Sequence, residues 1–224
     1  MFVTLTKEIR TQLAGASKSL IYAYSPILLL LLLIGLQNRV PSNLLTRDPL
    51  AIAELPFYFG VVSNIGAIIW SAAASICLFV FFSTDNSVVY KRLRSYLLFS
   101  GLLTLMLLLD DLFMLHEQFF PEYLFIPKRI VIISYGALTI LHFVVFRRIV
   151  KETEYFILVI AFAFFSVSLF VDSVPSESVT FFWRLMNYVV VDGAKLLGIA
   201  SWFVYFSRVS AAVLIDRDTS SGLS

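Results

Sequence analysis

The run LLLDDLFMLHEQ places Asp110, Asp111, His116 and Glu117 at the end of an apolar stretch. Carboxylates beside an imidazole suit a hard or borderline cation, and equally a proton relay. At about 100° per residue, a helix continued through this run sets Glu117 about 20° from Asp110, two turns further along. Asp111 then points to one side of that line and His116 to the other. Asp110 and Glu117 would line one wall, with two more titrating or metal-ligating groups beside it. The plainer account is a helix reaching the membrane interface with its acids hydrated. The apolar residues 112–115 weigh against it, because they keep the helix in an apolar medium beyond the Asp pair.

A second run, MNYVVVDGAKLLGIASWFVYF, carries Asp192 and Lys195 three residues apart, a spacing that pairs them on one helix face. Tyr188 stands one turn before Asp192 and Trp202 two turns beyond Lys195. The pair reads either as a structural salt bridge that lets both charges enter a membrane, or as a functional carboxylate held ionised by its lysine. Tyr135, Thr139 and His142 fall at i, i+4 and i+7, with His142 read as a packing residue. Asn64, Ser71 and Ser75 share a face within about 40°, the pattern of close helix packing. Asp172, one turn after Ser168, marks the end of its apolar run, and Cys77 reads as an inert packing thiol.

The elements that must position these side chains are membrane helices. Of 224 residues, 59% are hydrophobic and 14% charged, with a mean hydropathy of +0.89. A soluble fold of this length has no core large enough to hide that much apolar surface. A formal charge of +2 gives no field for nucleic acid, and one cysteine excludes an intramolecular disulfide. The fold class expected is an all-α integral membrane protein, a bundle of about six transmembrane helices with antiparallel neighbours. The spans are placed at 19–36, 57–82, 95–115, 129–146, 155–172 and 185–206, each continuous rather than alternating.

Lys and Arg placement orients the bundle. Lys7, Arg10, Lys18, Lys91, Arg92, Arg94, Arg147, Arg148, Lys151, Arg208 and Arg217 fall on one side, against Arg39, Arg47, Lys128, Arg129 and Arg184 on the other. Both termini are therefore expected in the cytoplasm. Residues 1–18 form a cytoplasmic segment that suits either an interfacial amphipathic helix or a frayed tail, and not a secretory signal. Residues 19–208 form the membrane domain, and 209–224 a polar cytoplasmic tail, disordered from Asp216. Within the loop 37–56, Asp48 followed by Pro49 reads as the cap and first residue of a short helix.

Depth joins the polar residues. Asp110 comes out about 24 Å above Arg94, Asp192 about 12 Å below Arg184, and Asn64 and Tyr135 about 10 Å below their outer ends. With Asp172, they meet in one slab of the outer leaflet. The reading is a net acidic cavity open to the outside with Lys195 as its floor, binding or transporting a cation, proton or small polar solute. The inner halves of the spans read as almost wholly apolar.

The alternative is a membrane-embedded hydrolase of lipid-like substrates, using His116 or an Asp as base or metal ligand, with Asp110, Asp111, His116 and Glu117 as candidate ligands. A third reading is an assembly subunit. No GxSxG, HExxH, CxxC or Walker loop is present. Two histidines are too few for the three-histidine zinc site of alkaline ceramidase-type hydrolases. Six spans with an Asp–Lys spacing of three do not match the retinal-binding lysine region of microbial rhodopsins. The expected surroundings are a lipid bilayer and a small ligand, with no cofactor or oligomeric state implied.

Overall fold

The computed structural model describes residues 20–84, 91–173 and 181–221, and of 91, 181–188 and 216–221 the backbone alone. Among the described residues the chain is all-helical. It divides into two compact units, Met1–Phe59 and Gly60–Ser224.

In the first unit, helix α1 (Leu20–Leu36) is apolar and exposed along its length. Gln37 closes it by accepting the N–H groups of Arg39 and Val40 at 3.0 and 2.9 Å. Two short helices follow, α2 (Ser42–Thr46) and α3 (Pro49–Ile52). As expected from Asp48–Pro49, the Asp48 carboxylate accepts the Ala51 N–H at 3.0 Å and Pro49 opens α3. The segment 1–18, with its expected surface helix, lies outside the described residues.

In the second unit, Gly60 turns the chain into α4 (Val61–Ser83) with φ of 69°, a left-handed conformation that glycine adopts without strain. There follow α5 (Lys91–Phe113), a π-helical segment (Leu115–Tyr123), α6 (Lys128–Val145), α7 (Arg147–Lys151), α8 (Tyr155–Asp172) and α9 (Phe181–Ser221). Long apolar helices satisfy every internal backbone group within the segment, which a hydrocarbon layer requires. Among the described residues, five helical stretches are long and apolar enough to cross one: Val61–Ser83, Arg92–Phe113, Lys128–Val145, Tyr155–Asp172 and Val189–Ile215. Helix α9 does not stop at the apolar boundary. Its backbone stays helical through Ser221, where the sequence suggested disorder from Asp216.

The packed centre lies between α4, α5, α8 and α9, with α4 along both α5 and α9, and α9 along α8. Trp70 stacks on Phe165 at 5.9 Å and meets Trp202 edge-on at 5.7 Å. Such aromatic pairs add about 0.5–1.5 kcal/mol beyond burial. Two glycines permit close crossings. A Cβ on Gly101 would come within 2.9 Å of Leu78, and one on Gly198 within 2.7 Å of Phe165. On α4 the buried face is Gly66, Trp70, Ala73, Ala74, Cys77 and Val80. Asn64, Ser71 and Ser75 are exposed, so the small polar stripe is not the packing face. Cys77 is fully buried, as expected of a packing thiol.

Candidate functional site

The site begins with a break. A continuous helix would carry Glu117 above Asp110, but α5 ends at Phe113 and Met114 is left-handed, with φ of 51° and ψ of 41°. That conformation costs a non-glycine residue about 1–2 kcal/mol. The chain then winds into the π segment, which contains Pro121 and is anchored by Gln118 N–H on the Met114 carbonyl at 2.8 Å. π-helical turns of this kind occur often at functional sites.

Because the helix breaks, His116 folds back onto Asp110. The His116 backbone N–H donates to Asp110 Oδ1 at 2.9 Å, and its ring Nδ1 lies 2.5 Å from Oδ2, a separation that needs one proton between them. From α6, the Tyr135 hydroxyl donates to the same Oδ1 at 3.1 Å. Asp110 is 7% exposed, so these contacts replace nearly all its water. The expectation that His116 points away from the Asp110 line is thus overturned. Helical geometry ends two residues before it.

Glu117 is turned elsewhere. Its carboxylate takes a hydrogen bond from Lys128 at 2.9 Å, with His116 Nε2 at 3.7 Å. The Lys128 bond holds the Glu117 carboxyl below its usual range, outweighing the opposing effect of partial burial. Lys128 also lies 4.0 Å from Asp172, at the end of α8. Glu117 and Asp110 therefore do not form one wall. They sit on opposite sides of the imidazole.

The second correction concerns Lys195. It pairs with Asp111 on α5, not with Asp192 three residues before it on its own helix. Asp192 is exposed, and among the described residues it has no hydrogen bond or ion pair. The cause is burial: Asp111 is 11% exposed at its side chain, and a buried carboxylate needs the cation more than a hydrated one does. The other oxygen, Asp111 Oδ2, is buried without a partner among the described residues.

Four helices and the π segment thus bring Asp110, Asp111, His116, Glu117, Tyr135, Asp172 and Lys195 to one end of the second unit, with Lys128 added. Asp192 and Asn64 do not join them, and the Tyr188 side chain lies outside the described residues. Among the described residues, no group of three or more His, Cys, Asp or Glu side chains is arranged to hold a metal ion.

Beyond this cluster, the interior is more polar than the sequence reading allowed. His142 Nε2 lies 2.9 Å from the Ser100 hydroxyl. Thr104 takes the Trp202 indole N–H at 3.0 Å and donates to the Ser100 carbonyl at 2.8 Å. Tyr96 and Tyr205 join hydroxyls at 2.8 Å, and Thr153 meets Tyr205 at 2.9 Å. The signal was present: Tyr96, Ser100 and Thr104 recur every four residues on one face of α5.

No curated protein and no solved structure is similar to this chain. A family model does match it, over residues 23–209, a stretch that holds every residue of the cluster. The chain belongs to the family described as Domain of unknown function (DUF8692).

Proposed function

We propose that this is a six-span membrane protein, with both termini inside, whose outer Asp110–His116 cluster binds and releases protons. The observation that carries it is the closed contact itself. A buried carboxylate meets an imidazole at 2.5 Å with a tyrosine hydroxyl on the same acid. Keeping a left-handed methionine and a π turn to make this contact is costly unless the contact has a use. Four carboxylates (Asp110, Asp111, Glu117 and Asp172) stand against two lysines, and the lysines are already engaged. Proton exchange at Asp110 and His116, with Asp111 Oδ2 as a further acceptor, fits this balance better than a bare cation does. The sixth span is α1, and the orientation rests on the uneven placement of Lys and Arg.

A second reading uses the same dyad. In a membrane-embedded hydrolase of lipid-like substrates, Asp110 would orient His116 so that Nε2 acts as general base. The dyad favours it, but the described residues offer it no metal group.

The test is thermal stability of the purified protein across about pH 5 to 8, the window in which an imidazole titrates. A pH-dependent melting temperature that flattens in Asp110→Asn and persists in Asp192→Asn supports the proton-binding reading. A flat wild-type profile refutes it.

A further inference from the structure

On the side that Lys and Arg placement assigns to the cytoplasm, α6 and α8 leave a groove of about 340 Å³ between them. Ile140, Phe143, Val144 and Arg147 line one wall, and Phe162 of α8 the other. The first four recur at i, i+3, i+4 and i+7, one helical face, so the groove runs lengthwise for about 10 Å. Hydrogen bonds from Phe146 N–H to the His142 carbonyl and from Val150 N–H to the Phe146 carbonyl, 3.0 and 3.1 Å, carry the helical path from α6 into α7. Phe143 and Phe162 meet edge-on with ring centroids 5.4 Å apart, and both rest on Trp202, at 5.6 and 6.0 Å. These rings make an apolar floor. Beside it Ile140 and Val144 stay 64% and 53% exposed, so the protein covers only part of this surface itself.

Positive charge collects at the mouth. Arg147 opens α7, with Arg148 and Lys151 on the same short helix, while Ile149 and Val150 pack against the core. All three cations are exposed. Lys128, Lys195 and Arg208 each hold a carboxylate. Arg147, Arg148 and Lys151 hold none among the described residues. Glu154 is engaged by Arg208, which leaves Glu152 as the one free acid in residues 147–154. A guanidinium presents a fork of donors that matches a phosphate. The groove's length spans most of one leaflet's share, about 15 Å, of a hydrocarbon layer about 30 Å thick. An apolar groove with a cationic mouth therefore suits a molecule that joins a phosphate to a fatty chain. A soluble phosphate would use only the mouth.

We propose that the groove between α6 and α8 binds an anionic phospholipid of the inner leaflet, its acyl chain on Phe143 and Phe162 and its phosphate on Arg147. Arg148 and Lys151 add attraction at the mouth. The cytoplasmic leaflet is the one that carries anionic lipid. A zwitterionic lipid brings an ammonium along with its phosphate, and three cations facing one free acid disfavour it. Each Lys or Arg beside an anionic headgroup changes affinity roughly fivefold. The inference rests on the membrane-spanning reading and is independent of proton binding at Asp110 and His116.

The experiment is native mass spectrometry of the full chain in detergent, titrated with dioleoyl phosphatidylglycerol or dioleoyl phosphatidylcholine, which differ only in headgroup. Wild-type protein should retain phosphatidylglycerol at concentrations where phosphatidylcholine is lost. Arg147→Gln should weaken that retention roughly fivefold. Val144→Trp, which fills the groove and leaves every charge in place, should abolish it. Ile140→Trp replaces Val144→Trp if that variant does not fold. Arg92→Gln, which removes a cation at the same end of the unit but outside the groove, should bind as wild type does. Equal retention of the two lipids, or undiminished phosphatidylglycerol binding in Arg147→Gln or in Val144→Trp, overturns the proposal. A dimer of the chain that Val144→Trp dissociates would give the groove to a second copy, and overturns it as well. These outcomes leave the pH dependence of stability untouched, so the lipid site and the proton-binding cluster stand or fall separately.

Discussion

Lys195 reaches across from α9 to Asp111 on α5, leaving Asp192 on its own helix without it. Lys195→Met should therefore strand a buried carboxylate. The expected loss is about 2–3 kcal/mol, at or below the roughly 3–5 kcal/mol of a fully buried pair, because the Lys195 side chain is 41% exposed. Lys195→Met with Asp111→Leu should recover most of that loss in a detergent melting experiment, whereas Lys195→Met with Asp192→Leu should not. Recovery with Asp192→Leu instead would place the pair within α9.

Met114 makes the site possible by leaving the helix. Met114→Gly should retain or raise the melting temperature, since glycine occupies φ of 51° without a Cβ penalty. Met114→Val should lose about 1–2 kcal/mol, because a β-branched residue is worse there. Equal stability of the two variants would mean that the chain runs on as a helix through this position.

Much of this arrangement was legible. Helix arithmetic put Asp110, Tyr135 and Asp172 at one depth, and the contacts bring all three to the cluster. Periodicity failed at Met114, because a left-handed non-glycine residue leaves no mark in composition or spacing. A helix continued through Met114 stacks Glu117 on Asp110 and turns His116 away. The Asp192–Lys195 spacing suggested the local pair, and only the fold shows Asp111 more buried and closer to the lysine's reach. The stripe Tyr96, Ser100, Thr104 was readable but lies inside an apolar run, where hydroxyls look like packing residues until their partners on α6 and α9 are known.

Glu117 should give the protein an acid limb. The Lys128 hydrogen bond lowers its folded pKa below the usual 4.5. The unfolded state then binds the proton more readily, so this stabilisation is present above pH 4.5 and is lost as pH falls through the lowered folded value. Melting temperature between pH 6 and 3 should fall less steeply in Glu117→Gln than in wild type, and Lys128→Met should reduce the slope in the same way. Superimposable acid limbs for wild type and Glu117→Gln would show that the pair contributes nothing.

Orientation is open to direct labelling. In a Cys77→Ala background, a membrane-impermeant maleimide added outside should modify Ser42→Cys and Ser176→Cys and miss Ser87→Cys and Ser220→Cys. The reverse pattern would put the Asp110 cluster on the cytoplasmic side.

The proton between Asp110 and His116 is the centre of the proposed site. Nitrogen-15 spectra of histidine-labelled protein in lipid nanodiscs read it directly, with His142→Gln used to assign the His116 signals. The expected result is a single His116 tautomer with Nδ1 in a strong hydrogen bond, lost in Asp110→Asn, where the imidazole returns to a mixed, solvent-like pattern. A His116 spectrum already solvent-like in the wild type, and unchanged by Asp110→Asn, would contradict the account.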